Sequence, residues 1–259
     1  MTHTISVSGP VLTKQYTSWS RNEPAREWAA LTLLSEAIPD LVPHPISRTP
    51  APSLTMTTLP GHPLAAPLHP PHLTALGDAI ETLWSIPSDT LQRIDLAALV
   101  ERTRTGLITL QDGDGVIARA ASAWLNSEPA DLTAVHEPVV AHGDPNLANY
   151  LWDGTRVRIV DFEDAGQGDR AVELANLVEH LSGRGTDWTP LVRRFAPDPD
   201  RFHAARRLWA GFWLTLIAPG GPSAHRNPPG TAEAQAGRVL TLVAGGPRGV
   251  PGRPGCRSE

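Results

Sequence analysis

The sequence predicts an α+β protein of two unequal lobes, a small β-rich N-terminal part and a larger, mainly helical C-terminal part. Three observations lead there. Extended, β-prone runs lie before residue 60, helix-period apolar patterns dominate after residue 73, and a proline-rich passage, GHPLAAPLHPPH over residues 61–72, separates the two. With 259 residues and 41% hydrophobic content, the chain can bury a core in one large domain or in each of two lobes.

Residues 4–16 hold two extended runs, TISVS and VLTKQY, joined at Gly9-Pro10, and this reads as a hairpin. Asn22 and Glu23-Pro24 open a helix with Trp28, Leu31 and Leu34 on one face, and Ile38-Pro39 ends it. Residues 40–60 are rich in turn formers around one apolar run, LTMTTL, which reads as a strand leading out of a small sheet. From Leu73 to about Asn126 the pattern is helical, with Leu76, Ile80, Leu83 and Trp84 at i, i+4, i+7 and i+8. PVVAHGD and RVRIVDFE read as a strand pair enclosing a loop and a turn at Asp153-Gly154. Helical segments follow near 170–182, 199–217 and 231–244, and the Gly/Pro/Arg-rich end, GPRGVPGRPGCRSE, reads as disordered. The expected organisation is an N-lobe at 1–60, a helical C-lobe at 61–245 and a tail at 246–259.

Composition excludes several classes. The formal charge is −5 and the basic residues are scattered, which argues against a nucleic-acid partner. The first ten residues have no leader character, and the apolar stretch Leu208 to Ala218 is too short to cross a bilayer, so no membrane partner is expected. A lone cysteine, Cys256, cannot form an internal disulfide, which suits a reducing cytoplasm, the expected location. Of 22 basic residues only Lys14 is a lysine, so the chain has kept one compact ammonium where it otherwise uses guanidinium.

The densest chemical signal is AHGDPNLANYLWDGTRVRIVDFEDAG, residues 141–166. Asp144 and Asn149 stand five apart on a loop, and Asp161 follows at the end of an apolar strand. A chain reversal between them would bring the three polar groups together. Phosphoryl transfer needs such a set, with one carboxylate to orient the attacking hydroxyl and hard oxygen ligands to hold magnesium against nucleotide phosphates.

On these residues the sequence resembles the aminoglycoside phosphotransferase and choline-kinase-like family, relatives of the protein kinases. The family's H-G-D-x-x-x-x-N loop corresponds to His142-Gly143-Asp144 through Asn149, and its I-D-F/W-x segment to Ile159 through Glu163. The resemblance covers roughly residues 5–245 and implies a bilobal protein-kinase-like fold with a truncated N-lobe. It implies ATP and Mg2+ as cofactors and a small-molecule hydroxyl acceptor. Asp144 would be the catalytic base, His142 a support for its loop, and Asn149 and Asp161 the metal ligands. Lys14 would bind the nucleotide phosphates and pair with Glu27 on the first helix, while MTTLPG (56–61), through Thr57 and Leu59, would form the hinge that meets adenine. Asp169 matches an acidic position of the family's G-D-P-x-x-D-L-A stretch, here GDRAVELA with Glu173 in place of aspartate, and reads as a helix cap giving structural support. Glu163 reads equally as a metal or substrate contact and as a loop acid.

The sequence departs from the family before Val11, where the first strand and the Gly-rich phosphate loop are missing and Gly9 is the one glycine. Either upstream residues exist or nucleotide is held poorly, so a non-catalytic, pseudokinase-like binding protein is the alternative. Other signals fail on their chemistry. His62, His69 and His72 sit among prolines without a cysteine, and the Asp112-Gly113-Asp114-Gly115 run lacks a calcium loop's later glycine and glutamate. Residues 66–140 hold ten acids and four arginines, a surplus of 10 − 4 = 6 negative charges. This reads as a solvated helical surface or as a wall for a cationic acceptor such as an aminoglycoside antibiotic.

Overall fold

The computed structural model describes residues 3–17, 21–49, 52–127 and 132–245; the expected tail and Cys256 lie outside them. Strand β1 (His3–Ser8) turns at Gly9-Pro10 into β2 (Val11–Tyr16), as the alternation and turn residues predict. Helix α1 (Glu23–Ala37) follows, with Pro24 in its first turn and Leu31 and Leu34 buried. Two further strands, β3 (Pro45–Thr49) and β4 (Ser53–Thr57), complete an antiparallel sheet in the order β1-β2-β4-β3. The sequence shows one strand in this stretch. The missed one, β3, is an edge strand whose Ser47, Arg48 and Thr49 face solvent, so no apolar period marks it.

The C-lobe begins with a two-residue strand, β5 (His62–Pro63), and helix α2 (Pro70–Trp84). The single helical pattern expected through Asn126 resolves into α2, α3 (Leu96–Gln111), capped by Asp95, and α4 (Gly115–Leu125). Strand β6 (Pro138–Ala141) precedes the loop that carries Asp144. A hairpin then runs from β7 (Tyr150–Trp152) to β8 (Val157–Ile159), followed by β9 (Gly166–Asp169). The expected pairing of PVVAHGD with RVRIVDFE is corrected here. Strand β6 pairs with β9, while β8 pairs with β7. Strand β9 is GQGD, and two glycines in four residues give no strand signal.

Helices α5 (Arg170–Glu179), α6 (Thr189–Phe195), α7 (Pro199–Ile217) and α8 (Thr231–Ala244) form the rest of the lobe. Indole N–H groups tie them across the core: Trp209 donates to the Val172 carbonyl at 3.1 Å and Trp124 to that of Arg207 at 2.8 Å. The apolar core is continuous from Leu31 and Leu54 through Phe162 to Leu174 and Leu214, so the two lobes share it. Among the described residues no helix is long and apolar enough to cross a membrane.

Candidate active site

The inward face of β2 places Lys14 between the lobes, 4% exposed. Its Nζ lies 2.8 Å from Glu27 Oε2 on α1 and 2.6 Å from Glu163 Oε2, and it donates to Asp161 Oδ1. Burial would push the ammonium down, but these three carboxylates outweigh it and hold the group above its ordinary range, so Lys14 is a cation. Glu27 accepts also from the Tyr16 hydroxyl and, at 3.2 Å, from the Phe162 N–H. Burial raises the Glu27 carboxyl, while Lys14 pulls it back. Strand, helix and the Asp161 loop are thus joined at one charged knot across the lobes.

Asp161 sits there with φ of 70°, a left-handed conformation that aspartate tolerates better than most residues. Carboxylate oxygens of Glu27, Asp161 and Glu163 lie within 4.8 Å of one another. Three acids against one lysine leave a local negative surplus of hard oxygen donors, which is what a divalent cation such as magnesium requires.

The loop that carries Asp144 is built from its backbone outward. Gly143 has φ of 83°, and a Cβ there would stand 2.3 Å from the Asp164 carbonyl oxygen, so only glycine lets the loop lie against residues 161–165. The Asp144 N–H donates to His142 Nδ1 at 3.3 Å, which makes Nδ1 an acceptor and assigns the Nε2 proton to the Val160 carbonyl, 2.8 Å away. His142 therefore spans from the loop to the residue before Asp161. The Asn149 amide donates to the Asp144 carbonyl at 3.0 Å and to its Oδ2 at 3.3 Å. The Val160 N–H donates to the Asn149 carbonyl at 2.9 Å, so the β7–β8 hairpin brings the backbone of Asn149 to within one residue of Asp161.

Helix α5 fastens this loop from below. Glu173, buried, accepts the N–H groups of His142 at 2.7 Å and Gly143 at 3.1 Å, and the Asn176 amide donates to the Gly143 carbonyl at 3.1 Å. His180 places Nε2 3.5 Å from Asp144 Oδ1, with its Nδ1 held by Ser182. Burial pushes the Asp144 carboxyl up, but the contact with His180 and the Asn146 N–H bring it below its ordinary value. Asp144 is therefore ionised at neutral pH. The sequence reading missed His180 and the role of Glu173. The available signal was the polar series Glu173, Asn176, His180 at i, i+3 and i+7 along α5 and its C-cap, one face turned toward something polar. Asp169 caps α5 through the Ala171 and Val172 N–H groups and also binds Arg201, in keeping with a structural part.

In MTTLPG, residues 56–61, the Thr57 N–H donates to the His44 carbonyl at 2.9 Å, and the Thr58 N–H to that of Pro10 at 2.9 Å. Those two amides are committed to the sheet, and Leu59 is the first residue clear of it.

A cleft of about 530 Å³ opens beside Asp144, lined by Asp95, Arg102, Trp209, Phe212 and Trp213 among others. Of the described acids in residues 66–140, Asp95 alone lines it, and Arg21, Arg26 and Arg102 line it too. Asp78 and Glu81 instead pair with Arg194 elsewhere on the surface. The acidic surplus read from the sequence is chiefly a solvated surface.

Comparisons with known proteins accord with this geometry. The choline/ethanolamine kinase family protein of Mesorhizobium loti superposes with a TM-score of 0.63 at 18% identity, covering 94% of this chain and 85% of that one. Choline kinase LicA from Streptococcus pneumoniae gives 0.67 at 13%, covering 94% and 89%. The ADP-bound aminoglycoside phosphotransferase APH(2'')-Ib gives 0.61 at 14%, covering 94% and 93%. The fold is therefore the kinase-like one. No curated protein gives a significant sequence match. The model of the phosphotransferase enzyme family (APH) matches residues 9–211, well over half the sequence, and the chain belongs to that family.

Proposed function

We propose that the protein transfers the γ-phosphoryl group of ATP to a hydroxyl of a small molecule. The observation that carries this reading is the convergence of Lys14, Glu27 and Asp161 from three separate elements, with ionised Asp144 on the adjoining loop. Asp144 orients the acceptor hydroxyl and takes its proton as the oxygen bonds to the γ-phosphorus. The bond from that phosphorus to the β–γ bridging oxygen breaks, and ADP leaves with the electron pair. Glu27 and Tyr16 hold Lys14 in place as the cation that faces the phosphates. Magnesium would be held by Asn149 and Asp161 and would neutralise charge on the phosphate oxygens. The Asn149 amide N–H is already given to Asp144, which leaves its amide oxygen for a cation. Glu163 is a further oxygen donor at the same place.

The cleft beside Asp144 bears on the acceptor. Arg21 is paired with Asp164 at 2.7 Å, Asp169 with Arg201, and Glu173 is buried beneath the loop. What faces the cleft is then close to neutral and aromatic, through Trp209, Phe212 and Trp213. This supports an acceptor with one cationic or neutral amphipathic body over a polycation; an aminoglycoside antibiotic is thus the less favoured candidate. The test is transfer of radiolabelled γ-phosphate across a panel of amino alcohols, sugars and aminoglycosides, with Asp144→Asn alongside. Transfer that Asp144→Asn reduces by at least 100-fold is expected, and transfer that survives it at near-normal kcat refutes the role given to Asp144.

The alternative, a non-catalytic binding protein on the same fold, draws on the full engagement of Lys14 by three carboxylates. It predicts no labelled product from any acceptor.

A further inference from the structure

A second cavity, of about 600 Å³, lies between the end of α5, the turn Leu181–Gly183, α6, α7 and α8. It shares no lining residue with the cleft beside Asp144. Four guanidinium groups line it, those of Arg184, Arg193, Arg206 and Arg238, against one carboxylate, Glu179. Glu179 is already saturated. Its Oε1 lies 2.6 Å from Arg206 Nε and 2.6 Å from Arg238 Nη2, and its Oε2 2.8 Å from Arg238 Nε. Arg184 is an exposed residue at the rim whose guanidinium, among the described residues, donates to a neutral partner, the Gln235 amide oxygen, which is itself fixed through the Ala210 carbonyl. Burial and the nearby Arg238 lower the Arg184 guanidinium despite the pull of Glu179, as expected of a cation short of counter-charge.

The cavity therefore holds three more positive charges than negative ones in a concave, partly apolar space walled by Trp188 and Phe202. Such a concave surplus concentrates anions, and planar guanidinium forks match the oxygens of a phosphate. The Nε2 of His203, close enough to Glu179 to act on its charge, is a further buried polar atom with no partner among the described residues.

We propose that this cavity binds a small molecule bearing a phosphate group, at a site separate from the catalytic cleft. The chemistry fits both the free ion and a phosphate ester, and the apolar wall would distinguish them by contact with an organic body.

Calorimetric titration of the full chain at low ionic strength, with inorganic phosphate and with glycerol 3-phosphate, tests this. Arg193→Gln, on the exposed side of α6, leaves the fold intact and should weaken binding about tenfold, the loss of one charge-assisted bond. Arg184→Gln should do so at least as strongly. Glu179→Gln should act in the opposite direction and tighten binding, because it frees Arg206 and Arg238 for the ligand. Lys14→Met, shown to be folded by its tryptophan fluorescence under the titration conditions, should leave binding unchanged. Tighter binding of the ester than of the ion, or equal binding of both, supports the site. Absence of binding heat from both probes overturns it. So does loss of binding in Lys14→Met with retention in Arg193→Gln and Arg184→Gln, since the anion would then sit in the catalytic cleft. A weakening by Glu179→Gln in a folded protein would also overturn it.

Discussion

Replacing Glu173 by alanine removes the acceptor that holds two successive N–H groups of the loop before Asp144, those of His142 and Gly143. The first of these is fully buried and the second partly so. An unsatisfied buried donor costs ~1–3 kcal/mol and a partly wetted one less, so the pair sets a loss of roughly 2–4 kcal/mol. That is a large share of the ~5–15 kcal/mol by which a domain is ordinarily stable. Glu173→Gln keeps an amide oxygen where Oε1 now lies and should lose at most about 1 kcal/mol. Burial raises the Glu173 carboxyl, so the amide also avoids part of the cost of holding a charge there. Glu173→Asp withdraws the carboxylate by one methylene and should resemble alanine more than glutamine. Urea unfolding of the three variants, followed by tryptophan fluorescence, orders them as Gln, Asp, Ala from most to least stable. The reasoning fails if alanine and glutamine unfold at the same midpoint, because the two N–H groups would then have found water or another acceptor.

Lys14→Met should cost about 3–5 kcal/mol, since Glu27 is left charged and buried, and adding Glu27→Gln should recover part of it in a double-variant denaturation cycle. Gly143→Ala should lower the melting temperature and abolish phosphate transfer together, because the new Cβ collides with the Asp164 carbonyl; an unchanged melting curve would show that the two loops can part. Asp161→Asn and Asp161→Val should both abolish magnesium-dependent nucleotide binding. Only the valine variant should also lose about 1–2 kcal/mol of stability to its left-handed backbone, as read by thermal unfolding. Asp169 is held below the ordinary aspartate value of 3.8: burial raises it, but Arg201, the His136 N–H and the α5 N–H groups lower it more. A depressed carboxyl stabilises the fold above 3.8, and that contribution is lost as pH falls below it toward the folded value. Asp169→Asn should therefore be less stable at pH 7, and its deficit should shrink below pH 3.8 in pH-resolved denaturation.

Much of the site was legible because its residues are adjacent in sequence or punctuated by turns. His142, Gly143, Asp144 and Asn149 lie on one loop, and Asp153-Gly154 announces the reversal that brings Asp161 back. The Lys14–Glu27 pair stood out for a different reason, as a lone ammonium on a strand before a helix in a chain of arginines. What was not legible was decided by tertiary contact. Strand β9 is a strand because β6 lies beside it, although its glycines argue otherwise. Strand β3 has no apolar face to advertise it. The acidic count over residues 66–140 carries no information on which side of a helix each charge falls, so it left open a solvated surface and a cleft wall; of the described acids Asp95 alone reaches the cleft. His180 lies more than thirty residues from Asp144, and nothing local in VEHLSG ties it to that carboxylate.

Helix α7 has two jobs on one rod. Its Trp209, Phe212 and Trp213 wall the cleft beside Asp144, while Arg201 binds the cap of α5 and the Trp209 indole grips the Val172 carbonyl. Reshaping that wall therefore also loosens the strut under the loop that carries Asp144. Variants selected for altered acceptor choice at Trp209 would be slower on every acceptor, whereas those at Phe212, which makes no such bond, could change preference and keep their speed.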